Sequence, residues 1–588
     1  MNGMKKKYVI MGVVIFIALY LFRVINIDQD LPAWGIANYQ PMDEGQYATM
    51  AINKYKYGTM RPDLKVDDIQ FNTNAHFRND LIGNIVCYIG LRLFGNNYIG
   101  LRMGSVVVGF LNFAILCLCM VYFYKNSAYT KNKAKITILL TTYFLLDFTF
   151  LLSSRIMETT IYRQLFLLLI LLIYIYINKY NKLRFFLIGQ LVVISVFLVY
   201  ITNIFLFFSC LGIIIVLGIM RGIKYFYDSI INFIAGCGIG YIICDLYYSS
   251  VWGTSCIQNT LQIVSDFSNN ADYANASGLS EVVEHIISFF SANCNIYNIG
   301  FSTIALIALP FLICYCKKRK DENVCFVLII LFTFFIQTLV SEDYIIRKYI
   351  LVYPLIILLV YIIGIYSGEE SEEIGKTRIL GKLCYYLYVI GVSCLNLYMI
   401  VRRFFFNDEG IIRDYSKIDI VIIVSVSLIE IVIILVQQFK EYKLSILEKN
   451  VTFSIIACVI LSGCVNQYMA IKYVWTNPTF TEKQIMTELQ EDVGDNYAFG
   501  IYAIGFSLYN NIKPVTNSYD KLNTMIGEHV GSYYLDYSLM EGEPLDEIMN
   551  TDGTTWESYK EYNRNFAIYG EKKKISVWKI VEKSEWVE

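Results

Sequence analysis

The most informative stretch of the sequence contains two adjacent carboxylates, Asp43 and Glu44. They lie in PMDEGQYATMAINKYKYG, which follows the first long apolar segment and reads as a short amphipathic helix that stops at Gly58. A carboxylate held in a water-poor site can act as a general base toward a hydroxyl group. The same residues also fit a structural role, because Asp43 and Gln46 have the spacing of a helix capping box. The two roles are compatible, since a helix N-terminus fixes a carboxylate in place.

Basic side chains recur at the ends of other apolar segments, where they could meet the same substrate as the acidic pair. An arginine in hydrocarbon is costly, so it should face a polar cavity or reach outward to the interface. Guanidinium and ammonium groups bind phosphate through charge-assisted hydrogen bonds. Acids and cations gathered at the mouth of a helical bundle therefore favour a substrate that carries a phosphate. The further candidate residues are Arg78, Arg102, Arg155, Glu158, Arg347, Lys348 and Tyr349.

Ordinary structural explanations exist for several of these residues. Arg102 could extend its charge to the interface, and Arg155 and Glu158 have the spacing of an ion pair on a helical turn. The three histidines are too far apart in the sequence for a recognisable metal site. Surface or structural roles fit them better, although His76 remains a binding candidate because it shares a loop with the acidic pair.

Long apolar runs must position these side chains. The chain has 588 residues, of which 56% are hydrophobic and 17% charged, and its mean hydropathy is +0.48. Runs of about 18 or more apolar residues can cross the hydrocarbon core as helices, in which the backbone is internally hydrogen-bonded. They predict an α-helical polytopic membrane protein with about thirteen spans. After a first span near the N-terminus, the predicted spans begin near Tyr98, Lys135, Ile161, Phe185, Ile204, Ser229, Ile299, Val324, Tyr349, Gly381, Lys417 and Val451.

The distribution of basic residues predicts the orientation of these spans. Lysines at positions 5–7 precede the first span and place the N-terminus in the cytoplasm. Every second loop after it also carries lysine or arginine, although hydropathy alone defined the spans. An outer segment with arginines at positions 402–413 fits badly and leaves a miscount by one helix pair open. The outer side then holds residues 26–97, residues 245–298 and the C-terminal tail.

The tail, residues 474–588, has the pattern of a small α/β domain. Short apolar stretches such as YAFGIYAIGF alternate with turn residues, and the strand-like KKKISVWKIV lies near the end. The sequence thus predicts a membrane domain at 1–473 and an extracytoplasmic domain at 474–588 in a multi-pass protein of the plasma membrane. The net charge of −1 and the lack of zinc-finger spacing give no indication of nucleic-acid binding.

The order of these motifs resembles the GT-C glycosyltransferases. An outer acidic pair after the first span, an LFG-x-N motif, an LR that enters the second span and an RxY before a proline-containing span are similar to one branch of that superfamily. This branch contains the protein O-mannosyltransferases and the lipid A aminoarabinose transferases. The stretch NTNAHFRND departs from the family pattern, which usually has proline there. The matching residues are Asp43, Glu44, Tyr47, Leu93, Phe94, Gly95, Asn97, Leu101, Arg102, Arg347, Tyr349 and Pro354.

The resemblance implies transfer of a hexose or pentose from a polyprenyl-phosphate donor to an acceptor at the outer face, with inversion at the sugar carbon. A phosphate is a good leaving group, so a general base matters more than a general acid. Asp43 is implied as this base, and Glu44 as the residue that orients Asp43 or the acceptor. The implied phosphate-binding cations are Arg347 first, then Arg102 and Lys348, with Glu158 as a second acid. No cofactor is required, although some members of the superfamily use a divalent metal. The sugar and the acceptor, whether protein, lipid or cell-wall polymer, stay open.

Three other functions remain open from the sequence. A transporter or lipid flippase would carry charges near the middle of its helices, and Asp147 and Glu430 are the main examples here. A polysaccharide polymerase or ligase would use arginines in a late outer loop, such as those at 402–413. In a membrane scaffold without catalytic activity, the acidic pair would only cap a helix.

Overall fold

The structure of the chain is a computed structural model. It describes residues 14, 16–18, 20–30, 42–61, 65–66, 69–70, 80–126, 133–178, 180–261, 283, 321–340, 345–366, 417–440, 461, 464–465, 467–468, 471–476, 478–500, 503–515, 533–537, 554–565 and 572–582.

Apolar helices make up most of this part of the chain, as the long apolar runs predict. Among the described residues, five helices are long and apolar enough to cross a membrane: Tyr98–Lys125, Thr159–Tyr176, Asn181–Leu198, Ile201–Arg221 and Ile223–Trp252. The helices named below are α1 (Met42–Tyr47), α2 (Thr49–Tyr57), α3 (Leu81–Phe94), α4 (Tyr98–Asn126), α5 (Lys133–Leu146), α6 (Phe148–Ser153), α7 (Thr159–Tyr176), α8 (Asn181–Leu198), α9 (Ile204–Arg221), α10 (Ile223–Trp252), α11 (Glu322–Val340), α12 (Ile345–Tyr366), α13 (Lys417–Lys440) and α14 (Thr481–Asp492).

The predicted spans that fall on described residues correspond to helices α4, α5, α7 to α10 and α11 to α13. The spans predicted near Ile299 and Gly381 lie outside the described residues, as does most of the one near Val451. The count of thirteen, the orientation of the termini and the domain boundary at 473 stay predictions.

The span predicted from Lys135 is interrupted at Asp147. Helix α5 ends at Leu146, and the Asp147 carboxylate accepts a hydrogen bond from the Phe150 N–H at 2.8 Å and thereby caps α6. The interpretation of Asp147 as a charge in the middle of a helix is therefore wrong. Aspartate is a strong N-cap residue, so its position marks a helix start. The side chain of Glu430 lies outside the described residues.

Helix α7 runs through the centre of the bundle, and polar side chains of neighbouring segments surround both of its ends. It packs against α4, α8 and α12, and most of its side chains are buried. At its C-terminal end, Arg184 donates to the Tyr225 hydroxyl at 2.6 Å, and Arg221 pairs with Glu322 at 2.6 Å. Eighteen residues of helix are about 27 Å long, close to the thickness of a hydrocarbon core. This polar group and the residues at the N-terminal end of α7 therefore lie at opposite ends of the bundle.

The C-terminal part of the chain forms a mixed sheet, which confirms the predicted α/β character. A separate, small antiparallel pair of strands lies between α2 and α3 and consists of β1 (Lys65–Val66) and β2 (Ile69–Gln70). The larger sheet has the order β4-β3-β5-β7-β6, in which β3 runs parallel to β4 and β5, while β7 is antiparallel to β5 and β6. Its strands are β3 (Tyr497–Phe499), β4 (Lys513–Val515), β5 (Tyr533–Tyr537), β6 (Thr554–Asn565) and β7 (Lys572–Glu582). The strand-like KKKISVWKIV is β7.

Helices α3 and α4 form a close hairpin at glycine residues. Helix α3 occupies Leu81–Phe94 and lies directly before α4. A Cβ atom added to Gly90 would overlap the carbonyl oxygen of Gly100, and one added to Gly100 would overlap that of Gly95. Small residues let helix backbones approach in this way within a membrane.

The hairpin predicts an unequal effect of two glycine-to-alanine substitutions. Gly90→Ala should lower the free energy of unfolding by about 1–3 kcal/mol, because the new methyl group must push the two backbones apart. Gly238→Ala on α10 is the matched control, since its Cβ would meet no atom within 4 Å. Thermal unfolding of the purified protein in detergent measures both. Equal stability of the two variants would contradict the close hairpin.

Candidate functional site

A buried ion pair connects the acidic motif, Asp43 and Glu44 on α1, to α4. Glu44 on α1 is 1% exposed and Arg102 on α4 is fully buried. Arg102 Nη2 lies 2.6 Å from Glu44 Oε2, and Arg102 Nε lies 3.0 Å from Glu44 Oε1. The interpretation in which Arg102 extends outward to the interface is wrong, because the guanidinium points inward to this carboxylate. Desolvation of two charges costs several kcal/mol per ion, so such a pair needs complete hydrogen bonding.

Backbone groups from two other segments complete the pair. Arg102 Nη1 donates to the carbonyl oxygens of Ile27 at 2.8 Å and Gln29 at 2.6 Å, both in the turn at residues 22–30. Glu44 Oε1 also accepts from the Met157 N–H at 3.1 Å. Four of the five guanidinium N–H donors are therefore used within the protein. The pair thus holds together α1, α4, the turn at 22–30 and the segment before α7.

Two more buried arginines lie beside this pair, and the three are called the arginine cluster (Arg23, Arg102 and Arg155). Arg155 Nη1 donates to the Ile25 carbonyl at 2.7 Å, and Arg23 Nε donates to Ser154 Oγ at 3.1 Å. Burial, and then the like charges of Arg102 and Arg23, lower the pKa of Arg155 to about 9. Arg23 was not predicted as a site residue, because an arginine at the end of an apolar run also fits a simple interface anchor.

Arg155 and Glu158 lie in the segment between α6 and α7, at residues 154–158, and not on a helical turn. Glu158 is 2% exposed and directly precedes α7. Asp80, a second buried acid, lies close enough for the two charges to interact. Burial, and to a smaller extent the charge of Glu158, raise the pKa of Asp80 to about 8. The hydrogen bond from the Gly83 N–H acts in the opposite direction and lowers this pKa. Sequence reasoning missed Asp80, whose only signal is that of a cap before α3.

The break between α1 and α2 is fixed by an asparagine of α3. Asn84 accepts from the Ala51 N–H at 3.0 Å and donates to the Tyr47 carbonyl at 2.8 Å. The amide therefore satisfies backbone groups on both sides of the break. Gly58 ends α2 with a φ of 78°, as the sequence predicts.

The other predicted site residues are described only in part. Asp43 lies in the first turn of α1, which begins at Met42, and its side chain lies outside the described residues. The same holds for the side chains of Arg347, Lys348 and Tyr349, near the start of α12. His76 and Arg78 lie wholly outside the described residues. Within the described part of the chain, no three His, Cys, Asp or Glu side chains form a group that could hold a metal ion.

Helix α12 nevertheless packs next to the arginine cluster. The ring of Tyr353 on α12 stacks on Phe144 with centroids 5.7 Å apart. The carbonyl oxygen of Phe144 accepts from Arg23 Nη2 at 3.5 Å. Since Arg347 precedes Tyr353 by six residues, its backbone lies about 9 Å from that of Tyr353 along the helix.

Comparison with known proteins finds similarity at the level of the fold. No protein-family model and no curated protein sequence matches the chain. The crystal structure of ArnT from Cupriavidus metallidurans in the apo state matches with a TM-score of 0.55 and 10% identity, over 98% of each chain. The structure of the same ArnT bound to undecaprenyl phosphate matches with a TM-score of 0.51 and 9% identity, over 97% of this chain and 98% of that one. The chain therefore shares the fold of ArnT, in agreement with the GT-C fold that the sequence resemblance predicted.

Proposed function

We propose that this protein is a membrane glycosyltransferase that moves a sugar from a polyprenyl-phosphate donor to an acceptor at the outer membrane face. The observation that carries the proposal is the buried Glu44–Arg102 pair, which holds the helix of the acidic motif against the bundle. The fold supports it as well, because ArnT shares this fold and one ArnT structure contains undecaprenyl phosphate. Exposed apolar side chains on the helices are suited to a lipid chain.

The charge balance at this end of the bundle supports an anionic substrate. The lowered pKa of Arg155 means that its charged form is disfavoured by burial and by the neighbouring guanidinium groups. A phosphate nearby would offset these like charges. In a site poor in water, such an interaction would also stabilise the negative charge that develops on a leaving phosphate.

The reaction is a direct displacement at the sugar carbon. Asp43 takes the proton of the acceptor hydroxyl while the acceptor oxygen forms a bond to the anomeric carbon. The bond from that carbon to the phosphate oxygen breaks, and the polyprenyl phosphate leaves with the electron pair. Attack from the opposite side inverts the sugar carbon. Arg347 and Lys348 are assigned to the phosphate, and the mechanism requires no cofactor.

The remaining residues of the predicted site have supporting roles. Glu44 and Arg102 are mutually bonded, which favours positioning over substrate contact, and a phosphate contact of Arg102 stays a prediction. Glu158 is assigned as a second acid close to the acceptor. The residues Arg155, Tyr349, His76 and Arg78 stay predicted binding residues.

Asp43→Asn should abolish transfer while it leaves the fold intact. Asparagine has the same shape and suits a helix start, but it cannot accept the acceptor proton, so the rate should fall by about 10²- to 10⁴-fold. The measurement is sugar transfer by the purified protein from a panel of radiolabelled polyprenyl-phosphate sugars, with several acceptors.

Thermal unfolding of the same preparations is the control, and the melting temperatures of wild type and Asp43→Asn should agree. Equal transfer by both proteins would remove Asp43 as the base. A wild-type protein that consumes none of the donors in the panel would count against the glycosyltransferase proposal.

The positioning role of the Glu44–Arg102 pair predicts strong coupling between its members. Glu44→Gln or Arg102→Met alone leaves one buried charge unmatched and should cost about 3–5 kcal/mol of unfolding free energy. The double variant should lose much less than the sum, because both charges are gone. Unfolding of the single and double variants in detergent gives the coupling energy.

The Arg221–Glu322 pair is the matched control at the opposite end of the bundle, since Arg221 is 45% exposed. Its coupling should not exceed about 1 kcal/mol, as for other solvent-accessible pairs. Additive losses at Glu44 and Arg102 would contradict the positioning role.

A further inference from the structure

Helix α14 of the C-terminal domain starts directly against the turn at residues 22–30. The Asp30 carboxylate accepts hydrogen bonds from the N–H groups of Thr481 at 2.7 Å and Glu482 at 3.0 Å. These N–H groups have no partner within the helix, so a residue some 450 positions earlier caps it. Lys483 adds a salt bridge to Asp28 at 2.6 Å. The turn whose carbonyl groups bind the arginine cluster therefore also fixes the start of α14.

Two residues of the C-terminal domain fix the position of Tyr98. The buried carboxyl of Glu482 accepts from the Tyr98 hydroxyl at 2.6 Å, and the Tyr98 backbone N–H donates to the Tyr509 hydroxyl at 3.1 Å. Tyr509 has a φ of 58°, which is rare for a residue with a Cβ, and its own N–H donates to the Asn96 carbonyl at 2.9 Å. Tyr98 is therefore held at both its backbone and its hydroxyl group.

Tyr98 in turn positions Arg102, one helical turn further along α4. The Arg102 guanidinium carbon lies 3.9 Å from the centroid of the Tyr98 ring, a close cation–π contact in a fully buried setting. Continuous contact thus runs from Glu482 through Tyr98 to Arg102 and on to Glu44.

The acidic motif also contacts the C-terminal domain directly. A Cβ atom added to Gly45 would lie 2.5 Å from the backbone nitrogen of Gly505, so α1 and the 3₁₀ turn at Gly505–Ser507 meet backbone to backbone. Both members of the Glu44–Arg102 pair therefore lie next to elements that this domain supports.

The surroundings of Glu482 favour its neutral form. Burial raises the pKa of Glu482 well above its usual value, and the Asp30 charge raises it further, while the Tyr98 hydroxyl and Arg102 act in the opposite direction and Glu44 adds to the rise. Among the described residues, no group donates to or accepts from Glu482 Oε1. The carboxylate of Glu44 already pairs with Arg102, so this guanidinium stabilises a charged Glu482 less than a free guanidinium would.

We propose that the C-terminal domain is part of the active site and that Glu482 is its positioning residue, which acts through Tyr98 on the Glu44–Arg102 pair. The catalytic consequence rests on the proposed glycosyltransferase function. The docking of the domain and the protonation state of Glu482 do not depend on it.

The test uses the full-length protein in detergent with Glu482→Gln and Glu482→Leu. Glutamine keeps a neutral acceptor for Tyr98, whereas leucine keeps only the volume. The matched controls are Glu491→Gln and Glu491→Leu, which change an exposed glutamate of the same helix. Three quantities are measured: hydrogen–deuterium exchange of the first turns of α4, melting temperature against pH, and sugar transfer from undecaprenyl-phosphate-linked donors.

Glu482→Leu should accelerate exchange at the start of α4 and slow transfer by about tenfold or more, because Tyr98 loses its anchor. Glu482→Gln should restore transfer to within about threefold of wild type, as expected for a neutral acid. Both Glu491 variants should match wild type in all three measurements.

The pH profile tests the protonation state directly. A group whose pKa is higher in the folded state than in the unfolded state stabilises the fold at low pH and loses that contribution as the pH rises through the folded value. The melting temperature of wild type should therefore fall relative to that of Glu482→Gln toward alkaline pH. This difference reports the protonation state of Glu482, whereas the exchange and transfer measurements report its positioning role.

Two outcomes overturn the proposal. The first is that Glu482→Leu and Glu491→Leu show the same hydrogen–deuterium exchange, the same transfer rate and the same pH profile. The other is a Glu482→Gln protein as impaired as Glu482→Leu, which would mean that the ionised carboxylate is required. If wild type transfers no sugar but the exchange and pH differences occur, the proposed function fails and the docking of the domain onto the pair stands.

Discussion

A charge buried in a helical bundle must be matched, and the Glu44–Arg102 pair is where this constraint organises the chain. The guanidinium and the carboxylate together draw in the turn at residues 22–30, the segment before α7, and helices α1 and α4. Removal of either partner leaves an unmatched charge where water is scarce, so none of these segments can move independently. The carboxylate of greatest chemical interest, Asp43, is the neighbour of Glu44 on a helix of only six residues. Its backbone position is therefore set by the ion pair and not by the stability of the helix itself.

The two ends of the bundle differ in the way their charges are matched. At the C-terminal end of α7, Arg221 and Glu322 form a partly exposed pair, and Arg184 meets neutral groups. At the other end, the arginine cluster is fully buried, and many of its hydrogen bonds go to backbone carbonyl groups. A carbonyl oxygen accepts a hydrogen bond from a guanidinium group but does not neutralise its positive charge. This end of the bundle therefore suits an anion. Helix α14 and the 3₁₀ turn at Gly505–Ser507 meet the bundle at this same end, where they contact Asp30, Tyr98 and Gly45.

The helices could be predicted from the sequence because a lipid environment allows few alternatives. Apolar runs must form helices, and Gly58 marks a helix end through its local chemistry, whereas the helix start at Asp147 was not predicted. The presence of a sheet in the C-terminal part could be predicted from alternating short apolar stretches, but its strand order could not.

The arginine cluster could be predicted only as a set of residue types at one end of the bundle. The pairing of Glu44 with Arg102 spans 58 residues, and that of Tyr98 with Glu482 spans 384. Their further partners are carbonyl groups and hydroxyl groups, which leave no pattern in a single sequence, and for the same reason Arg23 and Asp80 escaped notice.

The central claim is that the end of the bundle held by the Glu44–Arg102 pair, beneath the C-terminal domain, binds a polyprenyl phosphate. A cryo-electron microscopy structure of the full-length protein with undecaprenyl phosphate tests it most directly. The phosphate should lie between the start of α12 and the arginine cluster, within about 10 Å of the Asp43 carboxylate, because base and phosphate must serve one sugar. A phosphate bound at the Arg184 and Arg221 end of α7, or no lipid at either end, would contradict the account.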